Sequence, residues 1–259
     1  MMYPLVHRAS FVHAVGSLAT TNRFLHTSLH LLKKQRKFTS MKGKSHSSHQ
    51  WLNRHVNDPF VKQAQVDNYR ARSAYKLLEI DAKYRLLHPG HTVIDCGAAP
   101  GSWTQVAVER TRANDPEGGN VVAVDLLHMQ PIEGAVILSQ QDFTDPGTQQ
   151  EILAHLDGQL ANTVLSDMAP NATGIHSMDH EQIVELVRTA AEFAYKVLGE
   201  NGNFLAKLWD GHHMGLLKSD LAQGFRTMKI LRPEASRKDS SEIYLLAKGF
   251  KRYLVHPVT

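Results

Sequence analysis

Residues Val93 to Trp103 read V-I-D-C-G-A-A-P-G-S-W, and an amphipathic stretch follows through Arg112. Apolar β-branched residues that break into Gly97 and Gly101 just ahead of a helical pattern predict a buried strand, a tight turn and a helix start. Such a junction makes a nucleotide-binding crevice. Glycine and alanine let a ligand approach the main chain closely, and the helix start offers unpaired N–H groups at the carboxyl edge of a parallel sheet. The spacing is not G-x-G-x-x-G. Pro100 inside the turn removes a donor that a pyrophosphate would need, so a ligand with an adenosine and no pyrophosphate fits better. The glycines alone would suit an ordinary strand-to-helix turn, and the choice between the two rests on what surrounds them.

The chain has 259 residues, enough for one α/β domain with some length left over. Its formal charge of +4 is unevenly held: nine Lys and Arg fall among the first 57 residues, which contain no Asp or Glu, and the remainder carries 20 basic against 25 acidic residues. A surface for RNA on the body must therefore be a local patch rather than a global field. Cys96 is the single cysteine, which excludes an internal disulfide and a multi-cysteine zinc site. No apolar run approaches the length of a membrane span, so a soluble protein is expected.

Residues 1–45 combine Arg8, Arg23, Lys33, Lys34, Arg36 and Lys37 with many Ser, Thr and His and interleaved apolar residues. That is the pattern of a mitochondrial import leader; a basic RNA-binding arm is the alternative. Residues 46–58 are polar and linker-like, the folded domain is expected over 59–250, and 251–259 form a tail. Asp58-Pro59 signals a turn before a helical pattern, and Ala71 to Ile80 has helical spacing up to the break at His88-Pro89-Gly90. Strands are predicted at Val121–Val124, Ala135–Leu138, Thr163–Leu165 and Phe204–Trp209, with helices at Gln149–Leu156, Ile183–Leu198 and 213–223 between them. Gly199 and Gly202 are read as the stop of the helix at Ile183–Leu198. Two closing strands, near Met228–Leu231 and Ile243–Ala247, lack an intervening helix and predict an antiparallel hairpin at the edge. The whole is an α/β doubly wound sheet, mostly parallel, with helices on both faces and ligands at the carboxyl ends of the strands.

Asp125, Asp142 and Asp167 end three successive strands. A carboxylate at the end of the second strand can accept from both hydroxyls of a ribose, Asp142 could accept from an adenine amino group, and Asp167 beside the glycine turn would meet a positive charge. Singly, each could be a helix cap. Together they match a cationic adenosine ligand, for which S-adenosylmethionine is the candidate. Lys207 interrupts the apolar strand F-L-A-K-L-W, and Glu242 precedes the apolar strand I-Y-L-L-A. An ammonium there is unfavourable unless paired or functional, so the two form either a structural salt bridge or part of a catalytic site. His46 with His49, and His212 with His213, invite a metal; no metal is expected, because adjacent histidines seldom share an ion.

These segments, in order, carry a resemblance. D-P-F-V-K with Y-R-A-R-S-A-Y-K-L-L-E-I, D-C-G-A-A-P-G-S-W, V-D-L-L, S-D-M-A-P-N, F-L-A-K-L-W, P-E-A-S-R-K and S-S-E-I-Y cover nearly all of Trp51 to Gly249. The sequence resembles the FtsJ/RrmJ family of ribose 2′-O-methyltransferases, and within it the mitochondrial branch that acts on large-subunit ribosomal RNA. The resemblance implies the seven-stranded, Rossmann-like methyltransferase fold. It implies a catalytic tetrad of Lys76, Asp167, Lys207 and Glu242, and an S-adenosylmethionine site of Pro100, Gly101, Ser102, Trp103, Asp125, Asp142 and Asp167. Ser102 stands where many relatives have glycine or alanine, a minor departure for a pocket lined by main chain.

Methyl transfer to a ribose hydroxyl is an in-line displacement that needs the hydroxyl proton removed. Lys207 is expected to be the base, with Asp167 and Glu242 orienting it and Lys76 positioning the ribose or stabilising charge; an orienting role alone for Lys207 is the competing view. Arg70, Arg72, Arg237 and Lys238 flank the tetrad segments and would form a basic rim that positions RNA through its phosphates. The expectation is thus a monomeric enzyme of the mitochondrial matrix acting on large-subunit ribosomal RNA or its precursor particle. The alternatives are a transfer-RNA ribose methyltransferase, an assembly factor that chiefly binds RNA, and a dinucleotide-dependent oxidoreductase, which the absent G-x-G-x-x-G disfavours.

Overall fold

The predicted central strand is β1 (Thr92–Cys96), and all five of its residues are buried. The computed structural model describes residues 54–252, apart from 172, 212, 213 and 238. The expected leader, His46, His49, His212, His213, Lys238 and most of the expected tail lie outside the described residues. The chain divides into residues 1–57 and 58–259, and the fold below is that of the second unit. Residues 54–57 of the first are helical, where the sequence reads as linker.

Helices α1 (Pro59–Val66) and α2 (Ala74–Tyr84) precede β1. Asp58 caps α1 by accepting from Phe60 N, and Pro59 sits in the first turn, where a missing N–H does no harm. After β1 come α3 (Ser102–Thr111), β2 (Asn120–Asp125), β3 (Ala135–Ser139), α4 (Pro146–His155), β4 (Ala161–Ser166), α5 (His176–Val197), β5 (Leu198–Trp209), α6 (Met214–Ala222), β6 (Phe225–Leu231) and β7 (Glu242–Phe250). The strands form one sheet in the order β3-β2-β1-β4-β5-β7-β6. Strands β1 to β5 pair in parallel, and β7 runs antiparallel to both β5 and β6. The expected hairpin therefore exists, but its second strand is inserted between β5 and β6, which leaves β6 at the edge.

Side chains alternate across the sheet with a period of two, and this sorts the core into two layers. Val93, Val121, Leu165, Leu205, Tyr244 and Leu246 pack under α2 and α3 with Leu77 and Trp103. Their neighbours Ile94, Val122, Val164, Phe204 and Leu245 pack on the other face with α4, α5 and α6. By the same parity Asp95, Lys207 and Glu242 fall on the α2–α3 face. Strand order turns around between β1 and β4, the switch point where a doubly wound sheet opens a crevice at its carboxyl end.

Two boundaries differ from expectation. Helix α5 begins at His176, seven residues before Ile183, through a polar turn with no apolar period. Asp179 holds that turn: its Oδ1 accepts from Thr173 N and Oγ1, both at 2.6 Å, and its Oδ2 from Gly174 N. Strand β5 starts at Leu198, paired with Ala161, and resumes at Asn203, paired with Thr163. The intervening Gly199 to Gly202 bulge outward with Asn201 at φ 65°, so the glycines that read as a helix stop also lie within a strand.

Candidate active site

Lys207 and Glu242 reach the same place from antiparallel neighbours. In the β5–β7 register Lys207 lies opposite Tyr244 and Trp209 opposite Glu242, so Lys207 and Glu242 are diagonal neighbours on one face. Asp167 follows the last residue of β4, its N–H bonded to Cys96 O at 3.0 Å. Lys76 comes from the first turn of α2, which packs on that face. The four side chains the sequence singled out are thus brought together at the carboxyl end of the sheet, as two ion pairs. Lys207 Nζ lies 3.1 Å from Asp167 Oδ1 and also donates to the main-chain oxygen of Asp167. Lys76 Nζ lies 2.6 Å from Glu242 Oε1. The side chains of Lys207 and Lys76 are 12% and 13% exposed, and those of Asp167 and Glu242 20% and 15%. They are largely desolvated, yet a substrate hydroxyl can reach them.

Tyr244 joins the pairs and was not singled out from the sequence. Its ring is fully buried between strands, its hydroxyl donates to Asp167 Oδ1 at 3.4 Å, and Lys76 Nζ lies over its face at 5.9 Å. Burial and the carboxylates of Asp167 and Glu242 push its phenol well above the ordinary value, so it stays a donor. The signal available in sequence was its position two residues after Glu242, hence on the same face. Burial is the largest influence on the Glu242 carboxyl and raises it, but the ammonium of Lys76, Lys207 and the Ser236 hydroxyl at 3.0 Å together outweigh it, and the net direction is down. Glu242 is a carboxylate at neutral pH.

The turn after β1 is shaped by its glycines. Gly97 has φ 74°, and a Cβ there would lie 2.6 Å from Met168 Cγ and 2.7 Å from Met168 N; Gly101, the cap of α3, has φ 110°. Asp125 fixes the turn from below: its Oδ2 accepts from Ala99 N at 2.8 Å and its Oδ1 from Leu127 N at 2.7 Å. Each oxygen keeps a second lone pair for a ligand hydroxyl. Asp142 is exposed three residues beyond β3, with Oδ1 accepting from Thr144 N and Oγ1. The side chains of Ser102 and Trp103 are buried and already partnered. Ser102 Oγ lies 2.7 Å from Ser73 Oγ, and the Trp103 indole donates to Ser73 O at 2.9 Å and packs on Tyr244 at 5.6 Å. What these two can offer a ligand is the main-chain N–H of a helix start, not a side chain. Asp95, unnoticed in the sequence, is fully buried beneath the turn; Oδ2 accepts from Thr104 Oγ1 at 2.7 Å, and Oδ1 has no partner.

Two of the basic residues expected at the rim, Arg70 and Arg72, are engaged within the protein. Arg70 Nη1 donates to Pro100 O at 3.0 Å and Gln130 O at 2.8 Å, and Nη2 to Pro131 O at 2.7 Å, clamping the glycine turn to the segment after β2. Arg72 is largely buried, donating to Asp58 and to Ala235 O beside the Phe60 ring. Arg237, 31% exposed, lies 3.5 Å from the same Asp58 carboxylate and remains reachable from solvent.

Comparison with known proteins agrees with this geometry. The sequence pattern of the FtsJ-like methyltransferases matches residues 69–250. The chain is 44% identical over 233 residues to rRNA methyltransferase 2, mitochondrial, of Drosophila melanogaster, covering 88% of this chain and 93% of that one. It is 49% identical over 205 residues to ribosomal RNA large subunit methyltransferase E of Rhodopseudomonas palustris, covering 79% and 85%. Among solved structures, one assigned as a ribosomal RNA methyltransferase of Plasmodium falciparum superposes with a TM-score of 0.63 at 28% identity, over 70% of this chain and 98% of that one. The matched span runs from just before α2 to the end of β7 and contains both ion pairs, the glycine turn and all three strand-end acids: the chain belongs to the FtsJ-like methyltransferase family.

Proposed function

We propose that the protein methylates the 2′-hydroxyl of a ribose in mitochondrial large-subunit ribosomal RNA, using S-adenosylmethionine. The observation that carries the proposal is the convergence of Lys76, Asp167, Lys207 and Glu242 as two ion pairs beside the glycine turn. The donor set fits the cofactor. Asp125 and Asp142 offer lone pairs for ribose hydroxyls and an amino group, Asp167 answers a positive charge, and Pro100, Gly101, Ser102 and Trp103 form a narrow main-chain wall at the start of α3. When bound, the cofactor supplies an electrophilic methyl group on a sulfonium. Lys207 Nζ is already held by two oxygens of Asp167, which leaves one direction free for the ribose hydroxyl. In that direction the free amine takes the hydroxyl proton, and the ammonium that forms is held by the same carboxylate. Glu242 fixes Lys76, which positions the ribose oxygen, and Tyr244 ties the two pairs into one rigid group.

Ribosomal RNA is favoured over transfer RNA by the names of the relatives that match across most of their length. The leader-like composition of residues 1–45 favours the mitochondrial matrix. We further take the protein to act as a monomer on ribosomal RNA or its precursor particle. Incubation with labelled cofactor and separated ribosomal and transfer RNAs tests the substrate: label is expected in the large ribosomal RNA, and label confined to transfer RNA would replace this reading with its rival.

A further inference from the structure

A cleft of about 710 Å³ opens at the end of the sheet opposite the tetrad, where β4 and β5 begin and β7 ends. It is cationic in a domain whose sequence is net acidic. Lys83 and Arg85 from the end of α2, Lys229 from β6 and Lys248 from β7 line it, and among the described residues none of the four has a carboxylate within salt-bridge distance. Three of them gather on one residue: Lys83 and Lys229 lie 5.5 and 5.1 Å from the Tyr84 ring, and Lys248 donates to Tyr84 O. Like charges crowded this way repel, and burial together with Lys229 holds the Lys248 ammonium below its ordinary pKa. Arg85 closes α2 in the left-handed region at φ 52° and lines the cleft. The β5 bulge lines it with Asn201 and with Glu200, whose carboxylate is taken up by Arg226 at 3.0 Å, so the four unpaired cations leave the cleft net positive. Among the described residues none of the exposed large apolar side chains lines the cleft. Protein interfaces are centred on apolar contacts, whereas those with nucleic acid are polar and strongly positive.

We propose that this cleft is a second contact surface for the sugar–phosphate backbone of the substrate RNA, holding a segment remote from the methylated ribose. The proposal rests on the RNA reading above. It also answers a shortage at the active-site rim, where Arg70 and Arg72 are engaged by carbonyls and Asp58. Helix α2 links the two places, with Lys76 in its first turn and Lys83 in its last; the rise between them is about 10 Å, which an RNA strand spans in a few nucleotides. Phosphate contacts of this kind add affinity and register without reading bases.

The test measures binding of an in vitro transcript of mitochondrial large-subunit ribosomal RNA against salt concentration, using the whole protein. In Lys83→Gln/Arg85→Gln/Lys229→Gln the dissociation constant should rise at least tenfold and the slope of log K on log salt should flatten by about two, at roughly 0.7–0.9 per contact. KM for the transcript should rise with kcat unchanged. The single Lys229→Gln, on an exposed strand position, should flatten the slope by roughly 0.7–0.9; Lys196→Gln/Lys218→Gln, equally exposed but elsewhere, should change neither slope nor affinity. Wild-type affinity and slope in the triple variant would overturn the proposal and leave the charges to an acidic partner other than RNA. Failure of the RNA reading is a different result: wild-type protein that transfers no labelled methyl to the transcript.

Discussion

Glu242 shows how a single charge is set by its neighbours. It is a depressed carboxyl, so the sign runs as for any paired acid: its stabilisation is present above the unfolded-state value near 4.5 and lost as pH falls through the lower folded value. Removing Lys76 leaves the carboxylate desolvated, with the more distant charge of Lys207 and the Ser236 hydroxyl as its remaining partners. Lys76→Met should therefore lower stability at pH 7 by about 3 kcal/mol, a deficit that shrinks as pH falls and Glu242 takes up a proton; urea unfolding at neutral and acid pH measures it, and a deficit that does not change with pH would mean the pair is not formed. Asp95 has the opposite sign. Burial pushes its carboxyl up to about 7 against the pull of the Thr104 hydroxyl, with Asp167 and Asp125 adding to the rise. The folded state then keeps a proton that the unfolded state loses near 3.8, so stability declines as pH rises from about 4 to about 7 and is lowest above that window. Asp95→Asn should be more stable than wild type at pH 8, by up to a few kcal/mol at about 1.4 kcal/mol per pH unit, and no more stable at pH 4. Urea unfolding at the two pH values measures the difference, and equal gains at both would show that Asp95 does not titrate this way.

The glycine turn and the segment after β2 act as one element because Arg70 bonds to three of their carbonyls. Arg70→Ala should weaken cofactor binding about tenfold, the loss of one charged hydrogen-bond set of roughly 1.4 kcal/mol, while leaving affinity for RNA unchanged. Calorimetry with S-adenosylmethionine and filter binding with RNA separate the two; the reverse pattern would return Arg70 to the rim. Most elements could be read in the sequence because their apolar positions repeat with a fixed period, as in β1, β2 and the later turns of α5. What could not be read is what depends on partners distant in sequence. The first turn of α5 is held by Asp179 rather than by an apolar face, the β5 bulge exists only against β4, and nothing local places β7 between β5 and β6. Likewise Lys207 and Glu242 were legible because charges at apolar strands are anomalous on sight and Asp167 because it ends a strand, whereas Lys76 was legible only through the family resemblance. The fates of Arg70 and Arg72 were not, because an arginine on carbonyls and one on phosphates look alike in sequence.

At the scale of the molecule, charge is divided. Residues 1–57 are basic without acids, the rest is net acidic, and one cluster of the second unit's cations lines the cleft at the end of the sheet away from the chemistry. Residues 1–45 fused to a fluorescent protein should carry it into mitochondria, and the chain beginning at residue 46 should keep its methyltransferase activity; diffuse fluorescence would favour an RNA-binding arm instead. The central claim is that two ammonium–carboxylate pairs at the carboxyl end of the sheet direct a methyl group to a ribose oxygen. Digestion of mitochondrial large-subunit ribosomal RNA to nucleosides after incubation with labelled S-adenosylmethionine, read by mass spectrometry, tests it most directly. A 2′-O-methylated nucleoside should appear with wild-type protein and be reduced at least a hundredfold with Lys207→Ala. Label on a base, or undiminished ribose methylation by that variant, would contradict it.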